Sequence, residues 1–397
     1  MSRKPIIVTA IAAALLALHN AQRLAPVSLV EELRVQLHTG YVGVGNLFGA
    51  YLLTYGLSSI PVGVLADRRS ARSLMAVGAG VSLLASVLFA LTQNYLTAMA
   101  ARWLLGAGGA FLYVPTVRYV ATAFSAEQRG FVMGCVQAGA GVGMILPLAL
   151  LPGLAQAFTP ASAFLFLPGL SALVLSAVLL GMPRQGPPPG QPRRLLAPLG
   201  AGPSFWYYLG YFFLMMLAYY AVFAWLPTYL RADLGYSAVD AGLASTLVSG
   251  ALVVGSPLAG LASDRFRTRL SILLAGTVGA VIAFAVLLIT TRPAVIIAAS
   301  LLCGVSIACT VPIFMMLATE AVGAAGAGLA VSLGATVGQV ASSLSGPLFG
   351  FIFERSGNFH LVWKSALIIA AASLPFLLLG WRAAASDTAE RDSGPTA

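Results

Sequence analysis

Two stretches decide how this chain reads: Gly63-Val64-Leu65-Ala66-Asp67-Arg68-Arg69-Ser70-Ala71-Arg72 and Gly260-Leu261-Ala262-Ser263-Asp264-Arg265-Phe266-Arg267-Thr268-Arg269. Gly, Asp, Arg and the final Arg of the first recur in the second at one offset, since 264 − 67 and 269 − 72 both give 197. Pro115 and Pro312 share that offset. Each stretch is a short charged bridge between two long apolar runs, so the chain reads as two copies of one unit.

Outward from these bridges, apolar runs of about 20 residues, each long enough to cross a bilayer as a helix, fall at 5–29, 42–66, 73–92, 96–123, 129–153 and 161–182. After a polar bridge they resume at 205–230, 240–262, 270–290, 294–319, 326–352 and 362–382. Composition agrees. The 397 residues are 59% hydrophobic and only 9% charged, against about 25% charged in a soluble domain. So little charge cannot clothe a water-facing surface. The chain therefore reads as an all-α integral membrane protein with twelve transmembrane helices in two pseudo-symmetric six-helix bundles, a duplication common among secondary transporters. The bundles are placed at 1–182 and 204–382. A Pro-rich cytoplasmic linker at 183–203, PRQGPPPGQPRRLLAPLGAGP, joins them. A small polar tail at 383–397 reads as disordered. The basic flank and apolar run at the N-terminus also resemble a signal peptide. Because that run is one of many, it is read as the first span.

Charge placement sets the topology. Fourteen basic residues, among them Arg68, Arg72, Arg265 and Arg269, fall on the side holding the N-terminus, against five on the other. The positive-inside rule then puts both termini in the cytoplasm, as expected of a multi-pass protein of a cell inner (plasma) membrane. The same placement explains the net charge of +10 without nucleic acid. Cys135, Cys303 and Cys309 lie inside apolar runs, and with only three histidines the chain offers no metal cluster. Gly139, Gly141 and Gly143 follow no strand, so they read as helix-packing glycines and not as a nucleotide loop. No cofactor, metal or nucleic acid is expected, and nothing in the chain demands more than a monomer.

The first bridge, GVLADRRSAR, resembles the signature loop of the major facilitator superfamily, a Gly-x-x-x-Asp-Arg core with a basic residue a few positions on. Ala71 stands where the family has glycine. GLASDRFRTR resembles the weaker second copy. Arg102-Trp103-Leu104-Leu105-Gly106-Ala107-Gly108 resembles the family's Arg-x-x-x-Gly-x-Gly segment of helix 4, with Leu105 at the usual glutamine. The resemblance covers essentially the whole chain. It implies alternating access, with Gly63, Asp67, Arg68, Arg72, Gly260, Asp264, Arg265 and Arg269 forming inner gating loops. Asp67 and Asp264 would bond helix N-termini and arginines to latch the inner side. It also implies that helices 1, 4, 7 and 10 line a central cavity.

Ionisable residues at membrane depth are functional candidates by default. Helix 1 offers His19, Asn20 and Arg23, with His19 and Arg23 on one face. Helix 4 offers Arg102, Tyr113 and Arg118. Arg102 and Arg118 are 16 residues apart, about 24 Å along a helix, so one small ligand cannot touch both in a single pose. Helix 7 offers Tyr219 and Tyr220. Tyr51 and Tyr55 share a face of helix 2, while Tyr207 and Tyr208 read as headgroup-level aromatics. No Asp or Glu lies near the middle of any span. A cavity with arginines and no carboxylate focuses positive potential and suits an anion, which arginine's fork matches. The leading expectation is a transporter of a small organic or inorganic anion, with membrane lipid as surroundings and proton coupling left open. An exporter of drugs or amphipathic metabolites by proton antiport is the alternative. A membrane enzyme or receptor is a third reading, which no nucleophile constellation supports.

Overall fold

The computed structural model describes residues 3–66, 68–183, 202–266, 269–322 and 327–392, and all regular structure among them is helical. The first run of helices is α1 (Arg3–Ser28), α2 (Val30–Gln36), α3 (Tyr41–Ala66), α4 (Ala71–Leu91), α5 (Tyr95–Ala123), α6 (Ala126–Ala157), α7 (Pro160–Phe164) and α8 (Phe166–Gly181). The second is α9 (Pro203–Ala232), α10 (Ala238–Phe266), α11 (Arg269–Ile289), α12 (Pro293–Val322), α13 (Ala327–Ser356) and α14 (Phe359–Asp392). Each of the twelve expected spans has its helix. Eleven, with α7 and α8 counted as one, are long and apolar enough to cross a membrane among the described residues. The twelfth, α13, is rich in serine and glycine, which lowers its hydropathy.

Local chemistry sets the boundaries. The Asn94 side chain accepts from the backbone N–H groups of Leu96 and Thr97 and starts α5, satisfying donors that have no partner within the helix. Thr159 and Ser162 form a reciprocal capping box at α7, with Pro160 in the first helical position. Gly357, at φ +69°, ends α13 with its N–H on Phe353 O at 2.8 Å, a left-handed cap. Two features depart from the sequence reading. A short helix, α2, follows α1. The last helix runs to Asp392, where a disordered tail was expected from 383. The stretch AAASDTAERD contains no Gly or Pro and is rich in good helix formers. Residues 184–201 of the expected linker at 183–203, and the residues from 393 on, lie outside the described residues.

By its contacts the chain separates into two compact units that cut across the sequence halves. One holds residues up to 192 with 223–250 and 346–357; the other holds 193–222, 251–345 and 358 onward. In the first unit α1 packs chiefly on α6, and α5 packs on both α3 and α4. Gly139 and Gly143, one turn apart on α6, lie directly on α1. A Cβ at either would stand 2.3 Å and 2.1 Å from the carbonyl oxygens of Ala13 and Ala17. Small residues at this spacing let backbones meet where lipid supplies no hydrophobic drive between helices. Leu15, Leu16, Met75, Leu112, Val136 and Val174 fill the core beside that contact. In the second unit α11 packs on α12 and α14, and Phe212 stacks on Phe314 with ring centroids 3.9 Å apart. The exposed faces are apolar: Leu84 is 73% and Leu180 88% exposed, as fits a surface solvated by lipid and not water.

Candidate functional site

The polar residues of α1 converge with α3 and α5 inside the first unit. His19 and Arg23 lie one turn apart on α1 and are 2% and 7% exposed. The Tyr51 hydroxyl, on α3, stands 2.9 Å from His19 Nδ1 and donates to the His19 carbonyl at 2.8 Å. The ring of Tyr55, one turn further along α3, is 4.6 Å from the imidazole, and Tyr113 from α5 closes the group at 5.8 Å. Tyr55 and Tyr113 meet edge to face. Arg23 acts electrostatically on His19, Tyr51 and Tyr55. Gly109 of α5 packs over the His19–Tyr51 contact. A Cβ there would lie 2.7 Å from both His19 Nδ1 and the Tyr51 hydroxyl.

Arg102 takes a different part. It is completely buried, and all three guanidinium nitrogens donate to backbone carbonyls: Nη1 to Gln22 at 2.6 Å, Nε to Leu47 at 2.9 Å and Nη2 to Arg23 at 3.3 Å. Proline explains the shortest of these. Pro26 lies inside α1 and has no N–H, so the carbonyl four residues earlier, that of Gln22, loses its helical donor. Arg102 supplies the missing donor and ties α5 to α1 and α3. Its guanidinium also lies 4.8 Å from the Tyr51 ring centroid, in cation–π range. In this arrangement Arg102 holds the walls of the cluster.

The remaining candidates are dispersed. Asn20, 5% exposed, turns its amide back to Leu16 O at 3.0 Å. Arg118 is half-buried further along α5. In the second unit the Tyr219 hydroxyl bonds Thr310 Oγ1 and the Tyr211 hydroxyl bonds Thr277 Oγ1, each at 2.9 Å, while Tyr220 is buried. Tyr208, expected at headgroup level, is 3% exposed and would touch any Cβ at position 380.

The inner loops are seen in part. Asp67 lies outside the described residues, as do the side chains of Asp264 and Gly260. Gly63 is half-buried, and Arg68 and Arg265 are exposed. Arg72, in the first turn of α4, donates to the Leu179 carbonyl in the last turn of α8, one of the carbonyls a helix end leaves open. Its repeat counterpart Arg269 pairs with Glu320 of α12. The two equivalent arginines thus fasten different neighbours.

Three features escaped the sequence reading. Gln22, fully buried, donates to Ser171 Oγ at 3.1 Å and ties α1 to α8. Its place beside Arg23 in the polar run His19-Asn20-Ala21-Gln22-Arg23 was the available sign. Glu32 and Arg231 form a two-bond fork at 2.9 and 3.0 Å. The Glu31 carboxylate bonds both Arg34, at 2.6 Å, and the Tyr41 hydroxyl, at 2.8 Å. Glu31, Glu32, Tyr41 and Arg231 border a polar cleft of about 610 Å³ in the first unit.

Eleven long apolar helices among the described residues, with a buried cationic and aromatic cluster inside the first unit, define a multi-pass membrane protein. The chain belongs to the Major Facilitator Superfamily, whose family model matches residues 7–347 and 242–394. It is 27% identical over 382 residues to the glycerol-3-phosphate transporter of Bacillus subtilis, covering 85% of this chain and 84% of that protein. It is 30% identical over 234 residues to a protein of Thermus thermophilus named "Probable nitrate/nitrite antiporter", covering 55% of this chain and 52% of that one. In fold it resembles a bacterial homolog of the human lysosomal transporter Spinster, with a TM-score of 0.78 at 15% identity, over 96% of this chain and 98% of that one. The chain is a secondary transporter of this superfamily.

Proposed function

We propose that the protein moves a small anion across the plasma membrane by alternating access, with Arg23 as the group that attracts the anion. The observation that carries this reading is the cluster itself. Arg23 and His19 are buried among Tyr51, Tyr55 and Tyr113, in spans whose midsections hold no Asp or Glu. Buried cationic groups in spans whose midsections hold no Asp or Glu disfavour cationic cargo and favour a carboxylate, phosphate ester or oxyanion. Tyrosine hydroxyls add donors that fix an oxyanion's orientation. Arg102, with its donors committed to three carbonyls, keeps α1, α3 and α5 in register and does not contact the substrate. The names of two relatives, one a glycerol-3-phosphate transporter and one a nitrate/nitrite antiporter, support an anion.

The test is a thermal-shift screen of purified protein against small anions and lipophilic cations. A ligand that prefers the folded state stabilises it by mass action, by about 2.7 kcal/mol at one hundred times its Kd. Stabilisation by one class of anion, lost in Arg23→Gln, is the expected result. Stabilisation only by lipophilic cations refutes the anion reading and favours export of amphipathic compounds.

A further inference from the structure

Between α10, α11 and α12 the second unit carries an apolar groove of about 490 Å³, away from the buried cluster of the first unit. Val254, Leu258 and Ala262 of α10 and Ile272 of α11 form its walls, with Val305 and Cys309 of α12 between them. Two glycines shape it. A Cβ at Gly255 would stand 2.8 Å from Ala308 Cβ, and one at Gly276 would stand 3.0 Å from Cys309 Cβ. Helices α10 and α11 thus each lie close on α12, which becomes the floor. Val254, Leu258 and Val305 are exposed, so the groove opens onto the apolar surface of the molecule. From Ala251 to Ala262 it follows α10 for 262 − 251 = 11 residues, about 16 Å along a helix. That is close to half of the ~30 Å apolar thickness of a bilayer, the depth of one leaflet.

The groove is charged at one end only. There α10 ends at Phe266, α11 begins at Arg269 and α12 ends at Val322. Arg265 follows Ala262 by one turn on the same face of α10 and is exposed at the mouth. Arg269 of α11 pairs with Glu320 of α12 beside it. That pair is neutral as a unit, so Arg265 leaves the mouth positive. We infer that this groove is a binding site for one anionic phospholipid, with an acyl chain along α12 and the phosphate on Arg265. Depth and charge select this occupant. A helix from a second copy of the chain needs an apolar face through both leaflets, whereas the groove spans one. Every membrane lipid offers an acyl chain, so the walls by themselves select none. The guanidinium matches a phosphate bidentately and favours a headgroup whose negative charge no amine balances. The site lies wholly in the second unit and stands independently of the anion reading above.

The test is native mass spectrometry of the full-length protein in detergent, titrated with dioleoyl phosphatidylglycerol and with dioleoyl phosphatidylcholine. These lipids share their chains and differ in net charge. The first molecule of phosphatidylglycerol is expected to bind at least ~5-fold tighter than the first of phosphatidylcholine, the preference one basic residue gives at headgroup level. Arg265→Gln, at an exposed side chain, should abolish that preference. Arg69→Gln, an equal loss of charge at another exposed arginine, should keep it. Ala275→Trp, which fills the groove from an exposed position on its wall, should weaken the binding of both lipids. Thermal stability, read beside each titration, shows that the variants are folded. Equal binding of the two lipids by the wild type overturns the proposal. So does a preference lost as much in Arg69→Gln, which would mark diffuse charge, or lipid binding unchanged in Ala275→Trp, which would place the lipid elsewhere. A dimer present in the wild type and lost in Ala275→Trp overturns it as well and gives the groove to a second copy of this chain.

Discussion

Arg102→Met should destabilise the protein chiefly through one carbonyl, and a second substitution at Pro26 should recover that part. Arg102 donates at 2.6, 2.9 and 3.3 Å to the carbonyls of Gln22, Leu47 and Arg23. Hydrogen bonds to charged groups contribute about 1.5–3 kcal/mol each, so the two shorter bonds are worth about 3–6 kcal/mol gross. Removing the guanidinium also relieves the desolvation of a buried cation, which is several kcal/mol before compensation. The net loss should therefore be about 2–4 kcal/mol. The carbonyls of Leu47 and Arg23 have helical N–H donors four residues on, at Tyr51 and Val27. That of Gln22 does not, because residue 26 is proline. An orphaned buried acceptor costs about 1–3 kcal/mol. In Pro26→Ala the new N–H can serve the Gln22 carbonyl, and Arg102→Met then leaves nothing unpaired. A double-mutant cycle read by reversible unfolding in mixed detergent micelles should show a coupling of about 1–3 kcal/mol, with Arg102→Met less damaging in the Pro26→Ala background. Additivity within about 0.5 kcal/mol, the range for independent sites, would refute the reasoning.

Three further outcomes follow from the geometry. Gly109→Ala should separate His19 from Tyr51, because the added methyl would meet both polar atoms at 2.7 Å; thermal stability should fall by about 1–3 kcal/mol, typical of overpacking, and wild-type stability would contradict the packing. Glu32→Gln should cost about 1–2 kcal/mol for the loss of a two-bond, partly buried pair with Arg231. The exchange Glu32→Arg with Arg231→Glu should recover most of that loss, and a swap no better than the single change would show that the fork contributes little. Gly143→Ala should weaken the α1–α6 contact, where a methyl would stand 2.1 Å from the Ala17 carbonyl; unaltered unfolding in detergent would show that these helices have slack.

The spans were legible because each is a continuous apolar run, and a membrane requires such runs to be helical. The repeated Gly-Asp-Arg bridges and the span count pointed to the superfamily, and the family model bears that out. The cluster was legible in part. His19, Arg23, Tyr51 and Tyr113 stand out as polar residues in apolar runs, and helical spacing put His19 and Arg23 on one face. What they touch was not legible. The partners of Arg102 are carbonyls, which every residue carries and no sequence marks; Pro26 was the single local sign that one of them would lack a donor. Glu32 and Arg231 are 199 residues apart, a distance at which periodicity says nothing. The short helix α2 has no long apolar run, so the span count passed over it. Tyr208 packs its ring on Gly380, a contact between helices far apart in sequence that its amphipathic character did not mark.

The most direct test of the central claim is counterflow in proteoliposomes. Vesicles loaded with unlabelled sn-glycerol 3-phosphate, nitrate or a small carboxylate are diluted into the labelled anion, with wild-type protein and with Arg23→Gln compared at equal, verified folding. Transient accumulation of one labelled anion class by the wild type, reduced at least ~10-fold in Arg23→Gln, about 1.4 kcal/mol of lost binding, is the predicted result. Equal counterflow by both proteins would contradict the assignment of Arg23 as the anion's anchor, and no counterflow of any anion by the wild type would contradict the anion account itself.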